Sequence, residues 1–427
     1  MKKRISTITV LVAAVCAISY ADFVDNTEPD ANIHRARIKP TLVKLEPGQK
    51  QQFRIIMSPR HLSFARLAED VKWSVNAIPG GSQELGTIDE TGLYRAPAEA
   101  PARHEINICA EVPEATNRYL FATVLLGDPD ELYKLDRLWG ESAEKPVYLG
   151  DPHGMCLDAD GNLLIADMER PRIMRFTTEG EFLGHIGSDS DESASLSEAR
   201  AVVTDTQKRI WVCHQPTDRP RLHVYSPDGR FLHAFAQQGV MPGQILRPHG
   251  LVFDSKGRLF VVDVDNFRVG VYSQRGEFLY GWGKQGLELG EFNAPHGIMV
   301  DPSDDVFVSN YYGPTQKFDA DGKLLFAFAY ADPPTGPVGF HSISGDRYGN
   351  VYMTVRTPER YGGAAQQAGE RQRVRIAKYN NNGDYITAWP LAEPEEGASW
   401  LAIGDDDTVY CISSSQKRVG VQVFVPQ

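Results

Sequence analysis

From about residue 150 to the C-terminus the chain is a succession of short apolar runs separated by Gly, Asp and Asn turn signals. No 3.6-residue periodicity is sustained long enough to predict a helix. One unit reads His153-Gly154-Met155-Cys156-Leu157-Asp158, a turn at Ala159-Asp160-Gly161, then Leu163-Leu164-Ile165-Ala166-Asp167. It continues with Arg172-Ile173-Met174-Arg175-Phe176, a turn at Glu179-Gly180, and Phe182-Leu183-Gly184-His185-Ile186. Those segments predict four strands in a meander.

The unit recurs. Its opening is repeated at Pro152-His153-Gly154…Asp158, Arg200…Asp205, Pro248-His249-Gly250…Asp254, Pro295-His296-Gly297…Asp301, Phe340-His341-Ser342…Asp346 and Trp400…Asp405, with an Asp five positions after the marked residue. Spacings of 47, 49, 47, 45 and 59 residues fall in the range of propeller blades. The last copy supplies three strands before the chain ends. A segment of closing-strand type, Tyr133-Lys134-Leu135-Asp136-Arg137-Leu138-Trp139, lies upstream of the first copy. It is expected to complete the last sheet and so remove the open edges of an unclosed ring. The predicted fold is all-β, with a closed six-bladed ring over residues 131–427.

Residues 38–127 are patterned differently, as alternating segments such as Val71-Lys72-Trp73-Ser74-Val75 and His104-Glu105-Ile106-Asn107-Ile108-Cys109-Ala110. They predict one β-sandwich. Residues 22–37 are read as a linker. The start, Met1-Lys2-Lys3-Arg4, an apolar stretch to Ile18 and Ser19-Tyr20-Ala21, has the charged, apolar and small-residue parts of a signal peptide over residues 1–21. Export to the periplasm or beyond is therefore expected. Val15 before Cys16 is a poor fit to a lipidation site, and no apolar stretch is long enough to span a bilayer.

A net charge of −12 argues against a nucleic-acid partner, which is bound largely through cationic neutralisation of phosphates. Cys109, Cys156, Cys213 and Cys411 lie inside apolar runs without zinc-finger spacing and are expected as buried thiols.

The marked residues carry the candidate chemistry. In a four-strand meander the start of each innermost strand shares a face with the loop between strands two and three. His153, His249, His296 and His341 are thereby expected near the axis on one face. The first, third and fifth units contribute His153, His249 and His341, and neutral imidazoles converging in threefold array suit a divalent ion, zinc foremost with calcium as the alternative. His296 would lie nearby as a fourth ligand or a supporting group. The plain alternative is a set of rim histidines held by hydrogen bonds or water.

Three resemblances add to this. Asp263-Val264-Asp265-Asn266-Phe267-Arg268-Val269 resembles the signature of NHL repeats, and Gly92-Leu93-Tyr94-Arg95-Ala96-Pro97 with its flanks resembles bacterial Ig-like domains. The Pro-His motifs on alternating units also resemble the lyase domain of peptidylglycine α-amidating enzymes, a six-bladed NHL-type propeller with a zinc held by three histidines. That resemblance implies His153, His249 and His341 as ligands. It also implies a catalytic tyrosine at Tyr312, through Val308-Ser309-Asn310-Tyr311-Tyr312, with Tyr311 as a near-equal candidate. The family's substrate-holding arginine has no motif match, and Arg200 fills that role by position. The third motif here lacks its proline, the family's monooxygenase partner is absent and His296 has no counterpart.

Other motifs are read as structural. Gly281-Trp282-Gly283-Lys284-Gln285-Gly286 matches a dinucleotide pattern but sits at a unit junction, and Asp158-Ala159-Asp160-Gly161 and Asp319-Ala320-Asp321-Gly322 are tight turns rather than calcium loops. His185, His214, His223 and His233 fall off the marked position. An Arg-rich insertion at residues 356–373 is expected on the histidine face. Three functions compete: a metal-dependent lyase or hydrolase acting on a small molecule or peptide, a non-catalytic propeller binding a protein or glycan, and a lactonase-type hydrolase. The marked positions lack the carboxylates typical of the last.

Overall fold

The computed structural model describes residues 35–58, 66–68, 70–127, 132–140, 149–169, 172–187, 195–215, 221–311, 313–329, 339–357, 373–392, 400–415 and 418–427. Among them every regular element is a strand, and no helix is long and apolar enough to cross a membrane. The insertion beyond Thr357 lies outside the described residues, as do the signal segment and residues 22–34 of the expected linker. Residues 35–37 are not linker but begin a strand, Arg35–Lys39, paired antiparallel with Arg54–Ser58.

Six four-stranded antiparallel sheets follow one another along the chain, an arrangement consistent with a β-propeller. The first pairs Pro152–Leu157, Leu163–Asp167, Arg172–Phe176 and Phe182–Ile186 in sequence order. The innermost strands are Pro152–Leu157, Ala199–Thr204, Pro248–Phe253, Pro295–Val300, Gly339–Gly345 and Leu401–Ile403. Each of these touches the next, and the last touches the first, so the ring closes. The sixth sheet is completed from upstream: Tyr133–Trp139 runs antiparallel to Arg418–Pro426, with Tyr133 opposite Pro426 and Trp139 opposite Val421. Apolar side chains from the two faces of neighbouring sheets meet in a series of cores, for example Ile165, Phe176, Ile412 and Val423 where the first and sixth sheets pack.

The recurrent Asp has a local cause. Asp158 Oδ1 accepts from the backbone N–H groups of Asp160 and Asn162, both at 2.9 Å, and so caps the turn between the first two strands. Asp205, Asp254, Asp301 and Asp346 do the same in the next four sheets. The sixth copy corrects the sequence register. Its equivalent turn is closed by Gly404 N–H donating to Thr408 O at 2.8 Å, as Asp158 N–H donates to Asn162 O at 2.8 Å. The turn position is therefore Gly404 rather than Asp405. Trp400 then corresponds to Gly154, and the counterpart of His153 is residue 399, outside the described residues.

Neighbouring inner strands approach closely at Gly154, where an added Cβ would lie 2.4 Å from Arg200 O and 2.6 Å from Ala201 Cα. Both are backbone atoms that cannot swing aside. Gly154→Ala is expected to destabilise the ring by about 1–3 kcal/mol, read by chemical denaturation. An unchanged midpoint would show that the first two inner strands do not meet in this way.

Residues 35–126 form three small sheets of three, four and five strands around a core that includes Phe53, Trp73, Tyr94, Ile106 and Val124. They are not an isolated spacer, because they are tied to turns of the ring on the face opposite the starts of the innermost strands. Arg35 pairs with Asp305, and Arg103 with Asp407. Asn382 Nδ2 donates to Phe121 O at 2.8 Å and Ser303 Oγ to Tyr119 O at 2.8 Å. At the centre, fully buried Lys378 Nζ lies 2.6 Å from both carboxylate oxygens of Glu105 and 3.2 Å from Tyr133 Oη. Burial opposes the Lys378 charge, but Glu105, Tyr133 and Asp346 outweigh it and hold the ammonium above its ordinary value.

Among the described residues Cys109, Cys156, Cys213 and Cys411 form no disulfide; Cys213 and Cys411 are buried, while Cys109 and Cys156 are only half-buried. The two Asp-x-Asp-Gly segments are tight turns, with Asp319 Oδ1 capping the second. Gly281 lies in a strand and the following loop is an inter-sheet linker bridged at Gln285 and Phe292, as expected of a junction.

Candidate functional site

In five of the six sheets the pairing of the first two strands slips at the marked residue. The slips fall between Pro152 and Met155, Ala199 and Ala201, Pro248 and Gly250, Pro295 and Ile298, and Phe340 and Ile343. Such bulges re-aim a side chain out of the ladder. Here they do so for His153, Arg200, His249 and His296, at the ends of the strands nearest the axis. His341 occupies the corresponding backbone position, but its side chain lies outside the described residues, as does Tyr312.

The described histidines come together. The rings of His153 and His249 are centred 4.8 Å apart, and those of His249 and His296 4.2 Å apart. Tyr311, whose N–H donates to Ala294 O at 2.9 Å, brings its ring to 5.6 Å from that of His296. Trp400 lies against both other rings, 5.3 Å from His153 and stacked at 5.4 Å and 27° on His249. Arg200 Nη2 is held by Glu198 at 3.0 Å, and Arg247 Nη2 by Asp265 at 2.7 Å.

Electrostatics keep these imidazoles neutral. Burial, then the Arg200 charge and His296, push His153 down to about 3. Burial pushes His296 down to about 4, with Arg247 and Arg200 adding to it against a hydrogen bond to Ala294. His249 is lowered by burial, its two histidine neighbours and both arginines. The Nδ1 atoms of His153 and His249 are buried without a hydrogen-bond partner. Neutral rings with an uncommitted nitrogen have the donor chemistry of a borderline metal such as zinc. Among the described residues, however, no three His, Cys, Asp or Glu side chains already form a group that could hold a metal ion.

These depressed values fix a pH dependence for the metal-free protein. Between about pH 6.5 and pH 3 the unfolded chain binds protons on these histidines that the folded chain refuses. Stability is thus expected to fall with acidification through that window, by on the order of 1 kcal/mol per pH unit for each such group. Denaturation midpoints measured across the window should fall less steeply with acidification in His153→Gln and His296→Gln. Equal slopes would contradict the buried, neutral assignment.

Sequence reasoning missed Arg247 and the contact role of Trp400. Arg247 sits directly before Pro248-His249, which was a usable signal; the reach of Trp400 across the ring was not readable. The off-position histidines have other places: His214 and His223 form a buried pair in the second sheet with ring centres 4.1 Å apart, and His233 packs near Trp211 in the same sheet.

Comparison with known proteins bears on the middle of this ring. Residues 246–272 match the NHL repeat. This NHL segment contains His249 and the turn, second and third strands of the third sheet. A curated relative, Protein brain tumor of Drosophila melanogaster, is 27% identical over 158 residues, which are 35% of this chain and 14% of that protein. Among solved structures, virginiamycin B lyase from Staphylococcus aureus aligns at 10% identity and TM-score 0.45, covering 69% of this chain and 99% of that one. The aldose sugar dehydrogenase of Streptomyces coelicolor aligns at 13% and 0.45, covering 70% and 100%. A structural genomics protein from Bacteroides thetaiotaomicron aligns at 12% and 0.48, covering 93% and 99%. At these values the likenesses carry no argument about activity.

Proposed function

We propose that the protein is an exported metal-dependent lyase or hydrolase, built as a six-bladed propeller over residues 131–427 with an Ig-like region at 38–127 docked on its far face. Its site would be the axial histidine cluster. The supporting observation is the gathering of His153, His249 and His296 as buried or half-buried neutral rings, two with an enclosed, unpartnered Nδ1. In this reading His153, His249 and His341 hold a divalent ion, zinc foremost, and His296 is a fourth ligand or steadies His249.

When bound, such an ion supplies Lewis acidity. The chain's own groups do the rest. Tyr311, beside His296, or Tyr312 takes a proton from the substrate as general base. Arg200 draws a carboxylate toward the cluster, and the enclosed aromatic surroundings limit water. This is the arrangement that the resemblance to peptidyl-hydroxyglycine amidating lyases implies.

A second reading has one observation in its favour. The linkers into the third and fourth sheets lie on the histidine face and expose Val240, Met241, Leu287 and Leu289 at 64%, 61%, 79% and 50%. A face of this kind suits a non-catalytic propeller that binds a protein partner. Elemental analysis of protein purified without chelator, followed by zinc titration, decides between them. Close to one ion per chain is expected; no bound ion and no zinc uptake would move the assignment to the binding reading.

A further inference from the structure

One tier below the histidines the six inner strands carry Gly154, Ala201, Gly250, Gly297, Ser342 and Trp400, each four residues before its turn position. Five are small for a reason the packing makes plain. An added Cβ would come within 2.4 Å of Arg200 O at Gly154, 2.9 Å of His296 O at Gly250, and 2.7 Å of Ile343 Cγ2 at Gly297. Ser342 fits by accepting the Leu401 N–H at 3.1 Å. The sixth position breaks this rule with the largest side chain available.

The direction taken by that side chain is set by its contacts. Trp400 belongs to the sixth sheet, and its indole reaches His153 in the adjoining first sheet and stacks on His249 in the third. In a closed ring of six the third sheet stands opposite the sixth, so the indole crosses the axis. It does so buried, 6% exposed, from a backbone position one residue deeper than the bulges that aim the histidines. An axial channel lined only by small residues would otherwise continue under the cluster.

We propose that Trp400 is the floor of the axial site: a positioning residue that closes the channel beneath the imidazoles and fixes the plane of His249. Ligands then reach the cluster only from the rim that carries the strand starts. The functional importance of the floor rests on the reading of the cluster as the working site, but its existence does not.

The test uses the full chain and two readouts. Diethyl pyrocarbonate labelling with mass spectrometry gives the reactivity of His153 and His249, with exposed His185 as internal reference. Trp400→Gly, which installs the residue found in other sheets, should raise the labelling rate of His249 by on the order of tenfold, since burial no longer limits access. Trp400→Phe, which keeps an aromatic ring there, should leave the rate within about twofold of the unaltered protein. In the second readout, zinc affinity should weaken by roughly 10- to 100-fold in Trp400→Gly, the range seen when groups that orient metal ligands are lost, and be largely rescued in Trp400→Phe. If Trp400→Gly does not fold, Trp400→Leu reads the same two quantities. Unchanged histidine labelling in the glycine or leucine variant overturns the floor. Failure of the unaltered protein to bind zinc removes the metal reading alone, and the labelling comparison still decides this inference.

Discussion

Lys378→Met is expected to destabilise the protein by roughly 3–5 kcal/mol, the usual cost of leaving buried charges without their partner. Lys378 is fully enclosed, bonded to both oxygens of Glu105 at 2.6 Å and 4.0 Å from Asp346 Oδ2. Methionine fills nearly the same volume, so the loss reports charge rather than packing. Glu105 belongs to the N-terminal sheets and Lys378 to the fifth sheet of the ring, so the same change should loosen the docking and expose residues 35–126 to limited proteolysis. The pH dependence has a definite sign. Burial already raises Asp346 to about 6 despite the attraction of Lys378, and without the ammonium its carboxyl is raised further. A raised carboxyl stabilises the fold below its unfolded value and loses that contribution as pH rises, so the variant should be weakest near pH 8 and recover toward pH 5. Denaturation at the two pH values reads the effect; a loss under about 1 kcal/mol at pH 8 would mean that Glu105 and Asp346 do not depend on Lys378.

His249→Ala is expected to weaken zinc binding by more than about 100-fold, beyond what loss of an outer hydrogen-bond partner typically costs. His249 is the hub of the described cluster, contacting His153, His296 and Trp400. Its removal takes away one proposed ligand and the contact that holds the others in place. His233→Ala is the matched control, since His233 lies on the second sheet against Trp211 and Phe235 rather than on the axis. Isothermal titration with zinc should separate the two variants. Equal affinity in both would remove the axial metal site and leave the exposed apolar rim of Val240, Met241, Leu287 and Leu289 as the feature to pursue.

Much of this architecture was legible in the chain because its causes are local. An Asp that caps a turn and apolar runs of strand length mark four-strand units wherever they occur, and their repetition at near-constant spacing makes a ring the economical solution. The closing strand at Tyr133–Trp139 was readable for the same reason, since it copies the pattern of the outer strands. The sixth unit failed in register: Asp405 looked like the capping residue, yet backbone pairing of Leu401 with Cys411 places Gly404 in the turn. One residue of slip is invisible when two neighbouring residues both suit a turn.

What the sequence by itself determined, then, was the repeat, its strand order and the residues delivered to one face, because those follow from side-chain alternation and turn chemistry. The tertiary structure decided which of them meet. Arg247 reaches the field of His296 in the next sheet, and Trp400 crosses the ring to His249 through sheet-to-sheet packing that joins residues about 150 positions apart. Docking of the N-terminal sheets through Glu105, Arg103 and Arg35 was equally unreadable. Each looks like a solvated surface charge until burial and a partner from a distant turn give it a reason to be there.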